Sequence, residues 1–147
     1  RLLEINVRLG DPEAQTVLPL MENDLAAVLE AIDQRRLDEV TPIWRPGAVA
    51  TVVMAAPGYP GAVETGLPLE VPEGREPDVW MFHAGTRRDG GRLTTTGGRV
   101  LAVTAMDADL DGATRKAYRE VARVGLPGAV VRHDIGARWR ASGGPVR

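Results

Sequence analysis

The sequence predicts an α+β fold: short helices near the amino terminus, then a small, mainly antiparallel β-sheet with one packed helix. Three patterns lead to it. Leu3, Ile5, Val7 and Leu9 alternate with Glu4, Asn6 and Arg8, the period of a half-buried strand. Residues 48–56 are an apolar, β-branched run broken only by Thr51, and further strand-like runs follow it between glycine-rich turns. Leu110, Ala113, Ala117, Val121 and Val124 fall three or four residues apart, which makes one apolar stripe on a helix.

Taken in order, the first strand covers residues 2–9 and ends at Gly10. Pro12 suits the first turn of a helix carrying Ala14, Val17, Leu18 and Met21. A second helix follows Asn23 or Asp24, either of which can cap it, and carries Leu25, Val28, Leu29 and Ile32. Two prolines interrupt residues 41–47, a linker. The run 48–56 stops at Pro57-Gly58-Tyr59-Pro60-Gly61, where paired prolines and glycines oblige a loop. Residues 67–71, 79–84, 92–95 and 99–106 are the remaining strands of the sheet. Asp109 caps the striped helix, a short strand covers 129–132, and the small, glycine-rich end forms a flexible tail.

Composition narrows the function by exclusion. With 44% hydrophobic and 26% charged residues, the 147-residue chain has the balance of a soluble globular protein. A formal charge of -2 gives no electrostatic footprint for nucleic acid or anionic lipid. Without cysteine there is no disulfide, thiolate metal site or cysteine nucleophile. His83 and His133 sit in no metal-ligand spacing, and His83 is read as structural. Ser142, the only serine, lies in the tail, so a Ser-His-Asp hydrolase is unsupported. The opening residues lack the apolar run of a signal peptide and begin at once in a strand-like pattern, as if inside a domain.

The residues best suited to chemistry are Glu4, Asn6, Arg8 and Asp11, in the string Glu-Ile-Asn-Val-Arg-Leu-Gly-Asp-Pro-Glu. Strand alternation puts a carboxylate, an amide oxygen and a guanidinium on one face, about 7 Å apart. Hard oxygens suit Mg²⁺, which takes one or two protein ligands and fills its octahedron with water and phosphate oxygens. The adjacent guanidinium can hold a carboxylate or acyl phosphate. Alternation alone also fits a strand whose polar side merely stays wet. Asp11 likewise has two readings, a substrate-facing carboxylate or a cap for the next helix.

The whole string, extended through Ala14 and Gln15, resembles the last strand and loop of ATP-grasp ligases, specifically the glycinamide ribonucleotide synthetase family. Gly58-Tyr59-Pro60-Gly61, Phe82-His83-Ala84-Gly85-Thr86, Gly97-Gly98-Arg99-Val100-Leu101 and Asp134-Ile135-Gly136 follow in the family's order, so the resemblance covers residues 1 to 138. It implies that Glu4 and Asn6 hold the Mg²⁺ or Mn²⁺ that bridges the phosphates of ATP, the co-substrate, and that Arg8 stabilises glycyl phosphate with Asp11 near the glycine amine. Gly98 and Arg99 are assigned to the phosphate of phosphoribosylamine, since glycines allow close backbone approach to an anion; the other reading is a hairpin turn with an exposed Arg. Implied too are a cytoplasmic purine-biosynthetic ligase and a three-part division: residues 1–46 as the end of an ATP-grasp domain, 47–138 as the terminal domain and 139–147 as the tail.

Three positions depart from the family pattern, namely Leu9, Pro57 and Thr96, the last beside the proposed phosphate turn. A glycine-rich loop, a nucleotide-clamping lysine and the adenine-bracketing strands are not in the sequence, so the resemblance implies a carboxy-terminal part that is inactive alone and works with the rest of the same enzyme. The alternative is a noncatalytic, cleft-lining module of another ATP-grasp ligase.

Overall fold

The computed structural model describes residue 2 and residues 5–142, with Ser142 by its backbone only. In chain order the elements are α1 (Glu13–Val17), α2 (Leu25–Asp33), β1 (Ala48–Ala55), β2 (Val79–His83), β3 (Thr86–Asp89), β4 (Arg92–Thr95), β5 (Arg99–Asp107), α3 (Leu110–Val121), β6 (Val130–Val131) and α4 (Ala137–Ser142). Single 3-10 turns occupy Leu18–Leu20 and Leu37–Glu39. The class is α+β, and every strand pairing is antiparallel.

The main sheet runs β2-β5-β1-β6. Its centre is the long β1/β5 pair, in register from Ala48 opposite Asp107 to Met54 opposite Leu101. Alternation then gives the sheet two different faces. Val52 and Met54 of β1, with Leu101 and Val103 of β5, join Ala117 of α3 and Val124 and Leu126 beyond it in the core. Thr51, opposite Thr104, points the other way, toward α1. The sheet is thus covered by α3 on its apolar face and by α1 on the face that carries the two threonines.

Capping explains where the longer helices begin. Asp109 Oδ1 accepts 2.7 Å from the Gly112 N–H, and Asp24 Oδ1 accepts 2.9 Å from the Ala26 N–H. Asn23, the other proposed cap, instead ties the linker down through Thr41 O and the Ile43 N–H. The apolar stripe of α2 is only partly covered by the described residues: Val28 is half-buried, while Leu29 and Ile32 are 56% and 50% exposed.

Three expectations need correction. Residues 5–9 form no strand; Leu3 and Glu4 lie outside the described residues, and the chain bends at Val7 and Arg8. A strand needs a neighbour for its N–H and C=O groups, and no described segment pairs with this one. Residues 67–71 make two isolated bridges, Pro68 to Thr94 and Glu70 to Gly125, rather than a strand, since Pro68 has no N–H to continue a ladder. β3, absent from the expected strands, pairs with β4 across Gly90-Gly91, both at positive φ, a two-residue hairpin turn that glycine adopts without strain.

The flexible tail expected over 139–147 overlaps α4, which runs through Ser142, and residues 143–147 lie outside the described residues. The preceding Asp134-Ile135-Gly136 docks on α3: the Tyr118 hydroxyl accepts from the Ile135 N–H at 3.2 Å and donates to Arg132 O at 2.6 Å. Arg132 also forks onto Asp134, and that hydrogen bond holds the Asp134 carboxyl below the ordinary carboxylate range.

Candidate functional site

Asn6, Arg8, Asp11 and Arg99 line one hollow of about 300 Å³, together with Gly10, Pro12 and Glu13. Arg99 comes from the start of β5, and the others precede or open α1. The fold therefore brings together four of the residues singled out from sequence. Glu4 lies outside the described residues.

The turn entering α1 is built locally. Gly10 O accepts from the Ala14 N–H at 2.9 Å, and Glu13 Oε2 returns to accept from the Gly10 N–H at 3.2 Å. A Cβ on Gly10 would stand 2.6 Å from that carboxylate oxygen, so any larger residue there would push the Glu13 carboxylate aside. Helix α1 has no side-chain cap, which removes the capping reading of Asp11. Both carboxylate oxygens of Asp11 are instead engaged: Oδ1 accepts from Gln15 Nε2 at 2.9 Å, and Oδ2 pairs with Arg99 Nη2 at 2.9 Å. Arg99 Nη1 also donates to Asp11 O at 2.9 Å, making a two-point clamp on one residue. Arg8 Nη1 donates to Leu9 O at 3.0 Å.

Arg99 is placed by close backbone packing of the glycine motifs. A Cβ on Gly85 would meet Arg99 O at 2.8 Å and Gly97 N at 2.9 Å. A Cβ on Gly98 would meet the Tyr59 ring at 2.8 Å. The Ala56 N–H donates to Gly98 O at 2.8 Å, and the Gly85 N–H donates to Arg99 O at 2.8 Å. Three strings distant in sequence thus converge on one junction that sets the start of β5. Gly98 has its Cα against Tyr59 and is not among the residues lining the hollow.

A second link between sheet and site was not foreseen. Thr104 Oγ1, fully buried, donates to Gln15 O at 3.1 Å and lies 2.8 Å from Thr51 Oγ1. Thr51 Oγ1 is in turn 2.8 Å from Thr16 Oγ1, which reaches Pro12 O at 2.9 Å. The available signal was Thr51 itself, the single polar residue of an otherwise apolar strand.

The donor set expected from sequence for a metal is a carboxylate and an amide oxygen two residues apart, the hard-oxygen chemistry that Mg²⁺ accepts. Asn6 lines the hollow, while its partner Glu4 lies outside the described residues. Among the described residues no group of three or more His, Asp or Glu side chains could hold a metal by itself. His83 is exposed and shares a 3.1 Å hydrogen bond with Thr86 Oγ1; His133 stacks on Tyr118. No helix among the described residues is long and apolar enough to cross a membrane.

Known proteins resemble this chain over most of its length. The chain is 48% identical over 139 residues to the phosphoribosylamine–glycine ligase of Chlorobaculum tepidum, covering 93% of this chain and 33% of that one. It is 43% identical over 140 residues to the trifunctional purine biosynthetic protein adenosine-3 of Gallus gallus, covering 94% of this chain and 14% of that one. The crystal structure of phosphoribosylamine–glycine ligase from Thermotoga maritima superposes with a TM-score of 0.71 at 33% identity, over 90% of this chain and 32% of that one. The chain therefore spans a third or less of each of these relatives. Residues 49–138, which carry β1 through Gly136 and the whole glycine junction beneath Arg99, match the model of the phosphoribosylglycinamide synthetase C domain, and the chain belongs to that family.

Proposed function

We propose that this chain is the carboxy-terminal part of an ATP-dependent ligase that joins glycine to 5-phosphoribosylamine, giving glycinamide ribonucleotide in cytoplasmic purine biosynthesis. The observation that carries the proposal is the single hollow in which Asn6, Arg8, Asp11 and Arg99 meet in a chain of this family. A small zwitterion fits such a lining, with its carboxylate toward a guanidinium and its ammonium toward Asp11.

In the first step a carboxylate oxygen of glycine bonds to the γ-phosphorus of ATP, the bond to the ADP oxygen breaks, and glycyl phosphate forms. In the second the phosphoribosylamine nitrogen bonds to the acyl carbon, the phosphate leaves, and the amine gives up a proton. Arg8 offsets charge on the acyl phosphate. Asp11 holds the glycine ammonium. The phosphate of phosphoribosylamine is assigned to the Gly98–Arg99 turn, through backbone and the Nε edge of the guanidinium, which has no partner among the described residues. Glu4 and Asn6 would hold Mg²⁺ or Mn²⁺, which when bound neutralises phosphate charge.

The rest of the ligase is the partner assigned to residues 1–46. The exposed stripe Leu25, Leu29 and Ile32 on α2 suits burial against it. The test is a replacement: exchange the matching segment of the Chlorobaculum tepidum ligase for this chain, then assay glycinamide ribonucleotide formation with ATP, glycine and phosphoribosylamine. Retained turnover supports the reading. A folded replacement that consumes ATP with a different acceptor would overturn it.

A further inference from the structure

We infer that Gln15 is a positioning residue for Asp11: with Arg99 it holds the Asp11 carboxylate toward the hollow in the orientation that receives an ammonium group. The inference rests on the glycine-ligase reading above and extends it to a residue outside the conspicuous motif chemistry. Gln15 Nε2 donates to Asp11 Oδ1, and Arg99 holds both Oδ2 and the main-chain oxygen of the same residue. One donor on each oxygen leaves each with a further accepting site, so the carboxylate is oriented and still able to bind a cation.

The orientation of the Gln15 amide follows from chemistry. Turned over, it would set Oε1 against a carboxylate, two acceptors facing each other. The observed orientation has a cost: Oε1 is buried without a hydrogen-bond partner among the described residues. An apolar side chain would avoid that cost, because Gln15 otherwise lines an apolar groove with Ala14, Leu18, Pro19, Trp80 and Phe82. A buried acceptor left unsatisfied calls for a reason beyond packing, and holding Asp11 supplies one.

The backbone of Gln15 is held as firmly as its amide. Gln15 O is bonded by Thr104, a buried residue at the centre of β5, and Thr16 is joined to Thr51 of β1. The terminal sheet therefore fixes the first turn of α1 from below while Arg99 clamps Asp11 from the side. Geometry at the reacting end is set by a domain whose own residues, apart from Arg99, do not line the hollow.

The test uses the ligase carrying this segment in its full-length setting, with Gln15→Leu and, because Leu is branched, the unbranched Gln15→Met as companion. Melting temperature and steady-state kinetics are measured with each substrate varied in turn. The expected result is a melting temperature equal to or above wild type together with a glycine KM raised about tenfold, the loss of a hydrogen bond to a charged group, while KM for ATP and phosphoribosylamine stays within about twofold. Unchanged glycine KM and kcat in a folded variant would overturn the inference. So would a lowered melting temperature with activity lost equally for all three substrates, since that is the signature of a residue that only packs. Failure of the wild-type protein to ligate glycine removes the functional reading and this inference with it; failure of the variants alone to change glycine use removes only the inference.

Discussion

Arg99 and Asp11 lie 88 residues apart in the chain, yet Arg99 Nη1 and Nη2 stand 2.9 Å from the main-chain and carboxylate oxygens of Asp11. The pair joins the terminal sheet to the turn that opens α1. It also changes what a substitution at Arg99 should do. A guanidinium serving only a substrate phosphate would affect one substrate, whereas this one also orients Asp11.

In the complete ligase, Arg99→Ala is expected to raise KM for phosphoribosylamine about ten- to a hundredfold, the loss of charge-assisted hydrogen bonds worth roughly 1.5–3 kcal/mol. Glycine KM should rise with it, through Asp11, and ATP KM should not move. Kinetics with each substrate varied in turn reads this directly. A variant with all three constants unchanged would make the clamp a surface ion pair, of which most contribute little.

Glu4→Ala in the same protein is expected to abolish turnover without unfolding it, because it removes the proposed hard-oxygen ligand to the phosphate-bridging metal. Asn6→Ala should be milder, since a neutral amide oxygen contributes less to a divalent cation than a carboxylate. Turnover assayed across a magnesium titration is the measurement. Near-normal activity of Glu4→Ala at limiting magnesium would show that the ligand lies elsewhere.

The 147-residue chain by itself is expected to bind no MgATP measurably. Its one lysine, Lys116, is committed to the terminal domain, donating 2.8 Å to Met106 O and lying 3.5 Å from Asp107 Oδ2. No second lysine is present to clamp the nucleotide phosphates, and a metal pair without phosphates is weak. Isothermal calorimetry decides it, and a micromolar Kd would contradict the expectation.

Stability should depend strongly on the pair Glu120 and Arg123. Glu120 is 1% exposed, and Arg123 Nη1 bonds both of its oxygens at 2.8 and 2.9 Å while Nη2 donates to Gly74 O. Arg123→Met leaves a buried carboxylate without its cation. The expected cost is about 3 kcal/mol, the low end for a broken buried pair, because Arg123 is itself partly in water. Adding Glu120→Leu should recover most of that loss. Denaturant unfolding of the single and double variants measures the coupling; a double variant as unstable as Arg123→Met alone would mean that the loop contact at Gly74 carries the effect.

Local sequence was enough for the elements with a strong apolar pattern or a clear cap. The single polar interruption at Thr51, the cap Asp109 with Asn23 or Asp24 before α2, and the stripe from Leu110 to Val124 mark their elements because helix periodicity, capping and strand alternation are short-range properties. Where pairing depends on a neighbour, the pattern was insufficient. Residues 5–9 alternate like a strand but pair with nothing described, and residues 67–71 make bridges in place of a ladder. The hairpin of β3 and β4 was signalled by Gly90-Gly91 and still passed over, since Thr86–Asp89 has little apolar character. The site divides along the same line. Asn6, Arg8 and Asp11 were legible as one short string, and Arg99 as a basic residue in a glycine turn, but their meeting was not. That meeting rests on long-range packing: Gly85 and Gly98 let three backbone segments approach, Thr104 and Thr51 anchor α1, and Gln15 turns its amide to Asp11 at the cost of its own oxygen. No periodicity encodes a contact between residues 11 and 99, because only the folded sheet sets the distance between them.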